Sequence, residues 1–156
     1  MGREVRRVPP DWEHPRDSKG NYMPMYDETF EEAAAQWKAD FSKWESDPDS
    51  RGDHDCEFWE YDGNPPDREY YRPKWPEESA THYQMYEDTS EGTPISPVIA
   101  TPEELARWLV DNKASAFADQ TATYEEWLRV CNGGWAPSAA LTENGIISGV
   151  SAFTKE

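Results

Sequence analysis

The strongest constraint on the fold is a helix-start signal that the sequence repeats three times. A threonine is followed two and three residues later by glutamates in segments 29–32, 101–104 and 123–126. The threonine hydroxyl can accept a hydrogen bond from the third following N–H, and the glutamate there can reach back to the threonine N–H. In one case the first helical position is Pro102, which a helix tolerates only in its first turn. The pattern therefore predicts three helices that begin at these threonines.

Apolar side chains recur at three- and four-residue steps after each start, as the buried face of a helix requires. Segment 29–46 carries the longest stripe, which consists of Phe30, Ala33, Ala34, Trp37, Phe41 and Trp44. Helix 102–112 is predicted to bury Leu105, Trp108 and Leu109, and helix 124–131 to bury Trp127, Leu128 and Cys131. Residues 132–134, Asn-Gly-Gly, suit a left-handed stop for the last helix.

Three segments have the patterning of β-structure. Residues 3–8 place two valines among charges ahead of two prolines, which predicts a short edge strand. Residues 81–87 alternate between two faces, as a strand does. Asn144-Gly145 suits a tight turn between strands 139–142 and 146–150. Together with the helices, these segments predict an α+β fold of three helices packed on a small antiparallel sheet.

The 156 residues fit a single domain that is divided into three parts. Residues 1–46 form an N-terminal arm and the first helix, residues 47–78 an acidic segment rich in proline and aromatic residues, and residues 79–156 a compact α+β half. The eight tryptophans offset the low mean hydropathy, because large rings bury much area per residue. The middle part is predicted to have an irregular backbone with a short strand at 56–61.

The net charge of −17 at pH 7 is concentrated between residues 21 and 100. Such a field repels nucleic acid and anionic membranes, and it attracts basic protein surfaces. Acidity is also a common route to solubility, so both interpretations of the charge stay open. Arg3, Arg6 and Arg7 form a small basic patch that is expected to pair with the chain's own carboxylates.

The two cysteines, Cys56 and Cys131, stand far apart without repeated spacing, which indicates reduced thiols rather than a disulfide scaffold. The sequence contains no apolar run of transmembrane length, and its N-terminus lacks the apolar centre of a secretory signal. These features predict a cytoplasmic protein.

Two stretches invite comparison with metal sites, and neither completes one. Residues 47–55 carry acids at the first, third, seventh and ninth places of a calcium-binding loop, with a glycine at the sixth. The fifth place is Arg51 and the twelfth is Phe58, where that loop needs a bidentate glutamate. His54 and Cys56 could begin a zinc site, but no spacing supplies its further ligands. No metal or other cofactor is therefore predicted.

Candidate catalytic groups are few. Cys131 with His82 is the one conceivable nucleophile pair, but Cys131 falls on the apolar stripe of its helix and is expected to be a buried thiol. Ser90 lies in a TSEGT turn rather than in a nucleophile elbow. An enzyme would therefore have to combine Ser90, Glu91 and His82 in an unrecognised arrangement. The chain is predicted not to be an enzyme.

Three stretches resemble a family of small uncharacterised proteins of tailed phages and prophages. They are REVRRVPPDWEHP (3–15), THYQMYEDTSEGTPISPVIATPEELARWLVD (81–111) and TYEEWLRVCNGGWAPSA (123–139), and they cover about two fifths of the chain. The resemblance implies a setting, the cytoplasm of an infected bacterial host, and it implies no catalytic residues.

In that setting, an acidic protein without a catalytic signature is expected to act by binding. A DNA mimic presents carboxylates roughly where phosphates would lie, so that they meet the lysines and arginines of a nucleic-acid channel. The predicted contact residues are acids with two aromatic anchors: Asp47, Asp49, Asp53, Asp55, Glu57, Trp59, Glu60, Tyr61, Asp62 and Asp67.

The leading hypothesis is therefore an acidic phage protein that inhibits or redirects a host nucleic-acid-handling protein, in an anti-defence role such as that of an anti-CRISPR. Its partner is a host protein with a basic surface, and it contacts neither nucleic acid nor membrane directly. One alternative is an accessory or structural module that docks on another phage protein. A second alternative is an enzyme that works from the Ser90 turn.

Overall fold

The computed structural model describes residues 2–46, 58, 63–143 and 145–152. They belong to two compact units, of which the first is formed by Met1–Pro24 together with Trp75–Glu156 and the second by Met25–Lys74. None of the helices within these described ranges has both the length and the apolar character that a membrane span needs.

A four-stranded antiparallel sheet is the framework of the first unit. Its strands are β1 (Gly2–Val8), β4 (His82–Glu87), β5 (Thr93–Pro94) and β6 (Trp135–Pro137), in the order β5-β4-β1-β6. Val5 lies directly opposite Met85, and Arg6 directly opposite Gln84. Since side chains alternate along a strand, Val5 and Met85 lie on one face of the sheet, here called the apolar face although Arg3 shares it, and Arg6 and Gln84 lie on the other, the polar face.

Strand β1 lies between two other strands, so the prediction that residues 3–8 form an edge strand is wrong. Arg3 and Arg6 are each only 5% exposed. The Nε of Arg3 donates to the Ser115 carbonyl at 3.0 Å, and its Nη1 lies 3.9 Å from a Glu87 carboxylate oxygen. A charged strand can be central here because its guanidinium groups find partners while their aliphatic stems pack.

The expected pairing of the basic patch with the chain's own acids is confirmed for two of its three arginines. Arg3 lies near Glu87, as described above, and Arg6 donates from Nε to Glu4 at 3.0 Å. Arg7 instead lies over the Tyr83 ring, with its guanidinium carbon 4.6 Å from the ring centroid. An aromatic ring thus holds the one cation of this patch that does not pair with a carboxylate as predicted.

The core of the first unit lies on the apolar face of the sheet. Helices α2 (Pro102–Asp111) and α3 (Tyr124–Gly133) pack against each other and against this face. Met85, Leu105, Leu109 and Trp127 have no exposed area. The predicted core positions Trp108 and Leu128 are half-buried at the edge of this cluster.

A separate antiparallel ribbon follows β6. It consists of β7 (Ala139–Thr142) and β8 (Gly145–Ser148), and the short helix α4 (Gly149–Ala152) comes after it. The predicted hairpin is confirmed, but Thr142 pairs with Gly145, so β8 begins one residue earlier than predicted and ends at Ser148. Asn144, half of the predicted turn, lies outside the described residues.

The second unit is built on helix α1 (Phe30–Ser46), with the parallel pair β2 (Tyr26–Thr29) and β3 (Tyr71–Arg72). Its predicted apolar stripe packs on Phe58, whose ring centroid lies 5.2 Å from that of Trp37, 5.3 Å from that of Phe41 and 5.9 Å from that of Trp44. The strand predicted at 56–61 otherwise falls on residues outside the described ones.

All three predicted helix starts are confirmed. Thr101 Oγ1 accepts from the Glu104 N–H at 3.1 Å. Thr29 with Glu32, and Thr123 with Glu126, form both hydrogen bonds of the capping box. Gly134 ends α3 in the left-handed conformation, with φ of 92°. The helices and the antiparallel sheet give the mixed α+β fold that the sequence predicts.

Replacement of the α3 cap is expected to destabilise the first unit. Thr123→Ala removes the oxygen that accepts the Glu126 N–H, which should lower the free energy of unfolding by about 1 kcal/mol. Urea unfolding followed by circular dichroism measures the change. Thr121→Ala, at an exposed position ahead of the helix, is the control. An equal loss in both variants would contradict the assignment of the cap.

Candidate functional site

A cavity of the first unit lies on the polar face of the sheet. Trp12 and His14, in the segment that follows β1, both reach the Tyr86 hydroxyl on β4. A cleft of about 620 Å³ opens beside them, and its lining includes Trp12, His14, Tyr22, Gln84, Pro97 and Val98. This volume falls within the range of about 300–1,000 Å³ that is usual for small-ligand sites.

The Tyr86 hydroxyl is the centre of a buried hydrogen-bond network behind the cleft. Trp12 Nε1 donates to it at 3.2 Å, His14 Nδ1 lies 2.9 Å from it, and Gln84 Oε1 lies 3.1 Å from it. Gln84 Nε2 in turn donates to the Ser96 carbonyl at 2.9 Å. Each side chain is held by the next, so the lining of the cleft is rigid before any ligand arrives.

The hydrogen bonds of His14 define its protonation. Its Nε2 lies 2.6 Å from the Met23 carbonyl, which can only accept, so Nε2 carries a proton. Burial lowers the pKa of His14 below its usual 6.5, and the charges of Arg6 and Arg16 lower it further, against the raising effect of the Met23 carbonyl. Around pH 7, His14 is therefore neutral, and its Nδ1 is the unprotonated nitrogen that lies 2.9 Å from the Tyr86 hydroxyl.

The rim of the cleft carries a fixed cation. Arg16 donates to the Gly20 carbonyl at 2.7 Å, and its guanidinium carbon lies 3.8 Å from the Tyr22 ring centroid. The turn that holds both residues is closed by Asp17, whose carboxylate accepts from the N–H groups of Lys19 and Asn21. Glu13 also lines the cleft, so its rim carries one charge of each sign.

This arrangement is suited to binding rather than to proton transfer. Both nitrogens of His14 are engaged within the protein, and Gln84 is held by Tyr86 and Ser96. A general base needs a lone pair that faces the substrate. The aromatic rings and the rim charges are the groups that remain for contact with a ligand.

The structure describes only one of the residues predicted to contact a partner. Asp67 is exposed, and its carboxylate accepts from the Glu69 N–H at 3.0 Å, which caps the short 3₁₀ turn Arg68–Tyr70. The other nine, Asp47, Asp49, Asp53, Asp55, Glu57, Trp59, Glu60, Tyr61 and Asp62, lie outside the described residues. The same holds for the calcium-like loop at 47–55 and for His54 and Cys56.

The residues of the enzyme alternative do not come together. His82 begins β4, while Ser90 and Glu91 follow its end, so a strand about 16 Å long separates them. Ser90 Oγ is bonded to the Glu87 carbonyl and to Thr93 Oγ1. The described ranges contain no group of three His, Cys, Asp or Glu side chains arranged to hold a metal ion.

Cys131 is a core residue, as its position on the helix stripe predicts. It is 5% exposed, and burial, together with the nearby charge of Glu103, raises the pKa of its thiol to about 12. A thiol with so high a pKa is protonated at neutral pH and is a poor nucleophile.

The sequence analysis missed the cleft. No pattern in the sequence singles out Trp12, His14 or Tyr22, and the alternation at 81–87 predicts only that Gln84 and Tyr86 share one strand face with His82. That assignment was the available signal, because a face carrying His, Gln and Tyr must find polar partners when it is buried.

The buried His14 is expected to make stability fall in mild acid. Because its pKa is lower in the folded chain, the unfolded chain binds more protons as pH falls below about 6.5, and the free energy of unfolding decreases down to the folded pKa. Urea unfolding at pH 7.5 and at pH 5 measures this slope, which His14→Gln should reduce. His82→Gln is the histidine-matched comparison. An unchanged slope in His14→Gln would contradict the assignment.

The Cys131 thiol is expected to be unreactive until the chain unfolds. In a Cys56→Ser variant it is the sole thiol, and it should react with an aromatic disulfide reagent at pH 8 only after denaturant is added. A rapid reaction of the folded variant would return Cys131 to the list of nucleophiles. The rate of disulfide exchange, followed by absorbance, is the measurement.

No protein-family model, no curated protein and no solved structure matches this chain.

Proposed function

We propose that the chain is a binding protein whose acidic surface recognises the basic, nucleic-acid-binding surface of another protein. The observation that carries the proposal is the way in which the fold distributes charge. Arg3 and Arg6 are buried in the central strand, whereas Glu77, Glu78 and Glu125 are examples of acids that face solvent.

Further arginines are held against the protein's own groups. Arg72 pairs with Asp27 at 2.9 Å, and Arg68 pairs with Glu31 at 3.2 Å. Arg107 lies over the Tyr124 ring, 4.2 Å from its centroid. Burial removes Arg3 and Arg6 from the outer surface, so these two cations do not offset the acids that face solvent there.

The density of acids in residues 47–62 supports the choice of partner. Seven carboxylates within these residues could stand in for the phosphates of a nucleic acid, and Trp59 and Tyr61 could anchor the contact. The resemblance to small phage proteins directs the proposal to a host nucleic-acid-handling enzyme, in an anti-defence role within the cytoplasm of the infected cell.

A second candidate, an accessory module that docks on another phage protein, is favoured by a different surface. Residues 133–152 contain one charged residue, Glu143, in a chain of which 30% is charged. Within them, Leu141 is 83% exposed and its cross-strand partner Ile146 is 62% exposed. Exposed apolar side chains grouped together are typical of protein interfaces.

The charge proposal is tested by capture of partners from a bacterial host lysate on immobilised protein, at low and at high salt. The quadruple variant Asp47→Asn, Asp49→Asn, Asp53→Asn, Asp55→Asn should capture about tenfold less partner than the unchanged protein. High salt should release the partner that is still bound. The captured partner should also be released by added DNA, because both compete for one basic surface.

The control for that experiment removes the same amount of charge elsewhere. Glu77→Gln, Glu78→Gln, Asp111→Asn and Glu143→Gln change four exposed acids of the first unit. Equal loss of capture in both quadruple variants would mean that net charge alone is responsible. Capture that survives high salt and is abolished by Leu141→Ser with Ile146→Ser would favour the second candidate instead.

A further inference from the structure

The lining of the cleft on the polar face of the sheet combines aromatic and apolar side chains with charged ones. Trp12 and Tyr22 contribute rings, and Pro97 and Val98 contribute apolar surface. The Tyr22 side chain remains 37% exposed, although its ring lies 5.6 Å from that of His14 and packs edge-on against it. A flat apolar ligand can fill such a slot, because stacking on aromatic faces adds to the burial of its surface.

The walls are fixed from behind. Trp12 is held by the Tyr86 hydroxyl and by the Trp75 ring, whose centroid lies 5.2 Å away. Pro97 and Val98 follow Ser96, whose hydroxyl accepts from the Met85 N–H at 2.9 Å. A ligand that enters pays little to order these side chains, so modest contacts suffice for measurable affinity.

The electrostatic environment of the cleft differs from that of the whole chain. The Arg16 guanidinium is held by a carbonyl and a ring, neither of which neutralises its charge. Arg6 lies just behind, 4.1 Å from the Tyr86 ring centroid. The positive charges of Arg6 and Arg16 both lower the pKa of His14. Glu13 is the acidic residue among those that line the cleft. A single anionic group of a ligand can pair with Arg16.

We infer that this cleft binds a small planar aromatic molecule that carries one anionic group, with its ring against the aromatic and apolar lining and its anion on Arg16. An aromatic carboxylate and a mononucleotide share this chemistry, and both fit a volume of about 620 Å³. The net charge of −17 does not oppose such binding strongly at physiological salt, where charges beyond about 8 Å are screened.

This site is independent of the proposed partner surface. It is formed by residues 12–16, 22, 84, 97 and 98 of the first unit, whereas the predicted partner contacts fall on residues 47–67. The loss of one activity therefore leaves the other measurable in the same protein.

The test is calorimetric titration of the full chain with matched pairs of probes. Naphthalene-2-carboxylate is compared with the neutral naphthalene-2-methanol, and adenosine 5′-monophosphate with adenosine. At least one anion is expected to bind, on the order of tenfold more tightly than its neutral counterpart. Binding of naphthalene-2-carboxylate indicates a carboxylate ligand, and binding of adenosine 5′-monophosphate indicates a phosphate ligand. Absence of binding by both anions, or equal binding of a bound anion and its neutral counterpart, would overturn the proposal.

Two variants place the ligand in the cleft. Arg16→Gln should weaken binding of the anion about tenfold and leave the neutral probe unchanged, because it removes the charge without removing a wall. Tyr22→Leu should weaken both members of a pair, because it removes a ring surface. Both side chains lie on an exposed turn, and circular dichroism verifies that the variants fold.

The matched control is Arg107→Gln. Arg107 lies over Tyr124 in the same cation–ring geometry as Arg16 over Tyr22, but on helix α2 and outside the cleft. It should leave all affinities unchanged. If Arg107→Gln weakens the anion as much as Arg16→Gln does, the effect comes from the general charge of the protein and the proposed site is wrong.

Discussion

The structure depends on one costly arrangement, the burial of arginines in the central strand of the sheet. Arg6 is 5% exposed, and it is stabilised by Glu4 at 3.0 Å and by the face of Tyr86. A buried charge without partners would cost several kcal/mol. The neighbouring positions on β4 must therefore be polar or aromatic, and Gln84 and Tyr86 meet this requirement. The segment that carries Trp12 and His14 covers this face, and both side chains contact the Tyr86 hydroxyl.

The resulting network is not fully satisfied, which bears on why it exists. The Tyr86 hydroxyl has one proton and two acceptors, His14 Nδ1 and Gln84 Oε1. If His14 were protonated, its Nδ1 would donate to the Tyr86 hydroxyl, and the proton of Tyr86 would serve Gln84. Burial and the charges of two arginines lower the pKa of His14 and so oppose this protonation. If this face of the sheet were apolar and covered by a helix, no two acceptors would compete for one buried proton. Buried polar groups that add little stability are most simply explained by the cleft that they line.

The sequence predicts what is encoded locally and misses what is joined over long distances. Helix starts at Thr29, Thr101 and Thr123 depend on neighbours three residues away, so their hydrogen bonds follow from the pattern alone. The place of β1 depends on β6, more than a hundred residues later, and its charges suggested an edge. The hairpin register was misjudged by one residue, because the turn was centred on the Asn-Gly pair. The cleft joins three distant segments, which no single window of sequence contains.

The use of cations connects the two proposed binding activities. Most of the arginines discussed above are held by a carboxylate, a ring or a carbonyl of the protein, and Arg3 and Arg6 are buried as well. At the cleft, Arg16 is exposed on the rim together with Glu13, and Arg6 is paired with Glu4 behind it. Screening weakens the effect of distant acids on this site. The two proposals therefore use different parts of one distribution of charge, namely acids that face a basic protein and the Arg16 guanidinium beside aromatic rings.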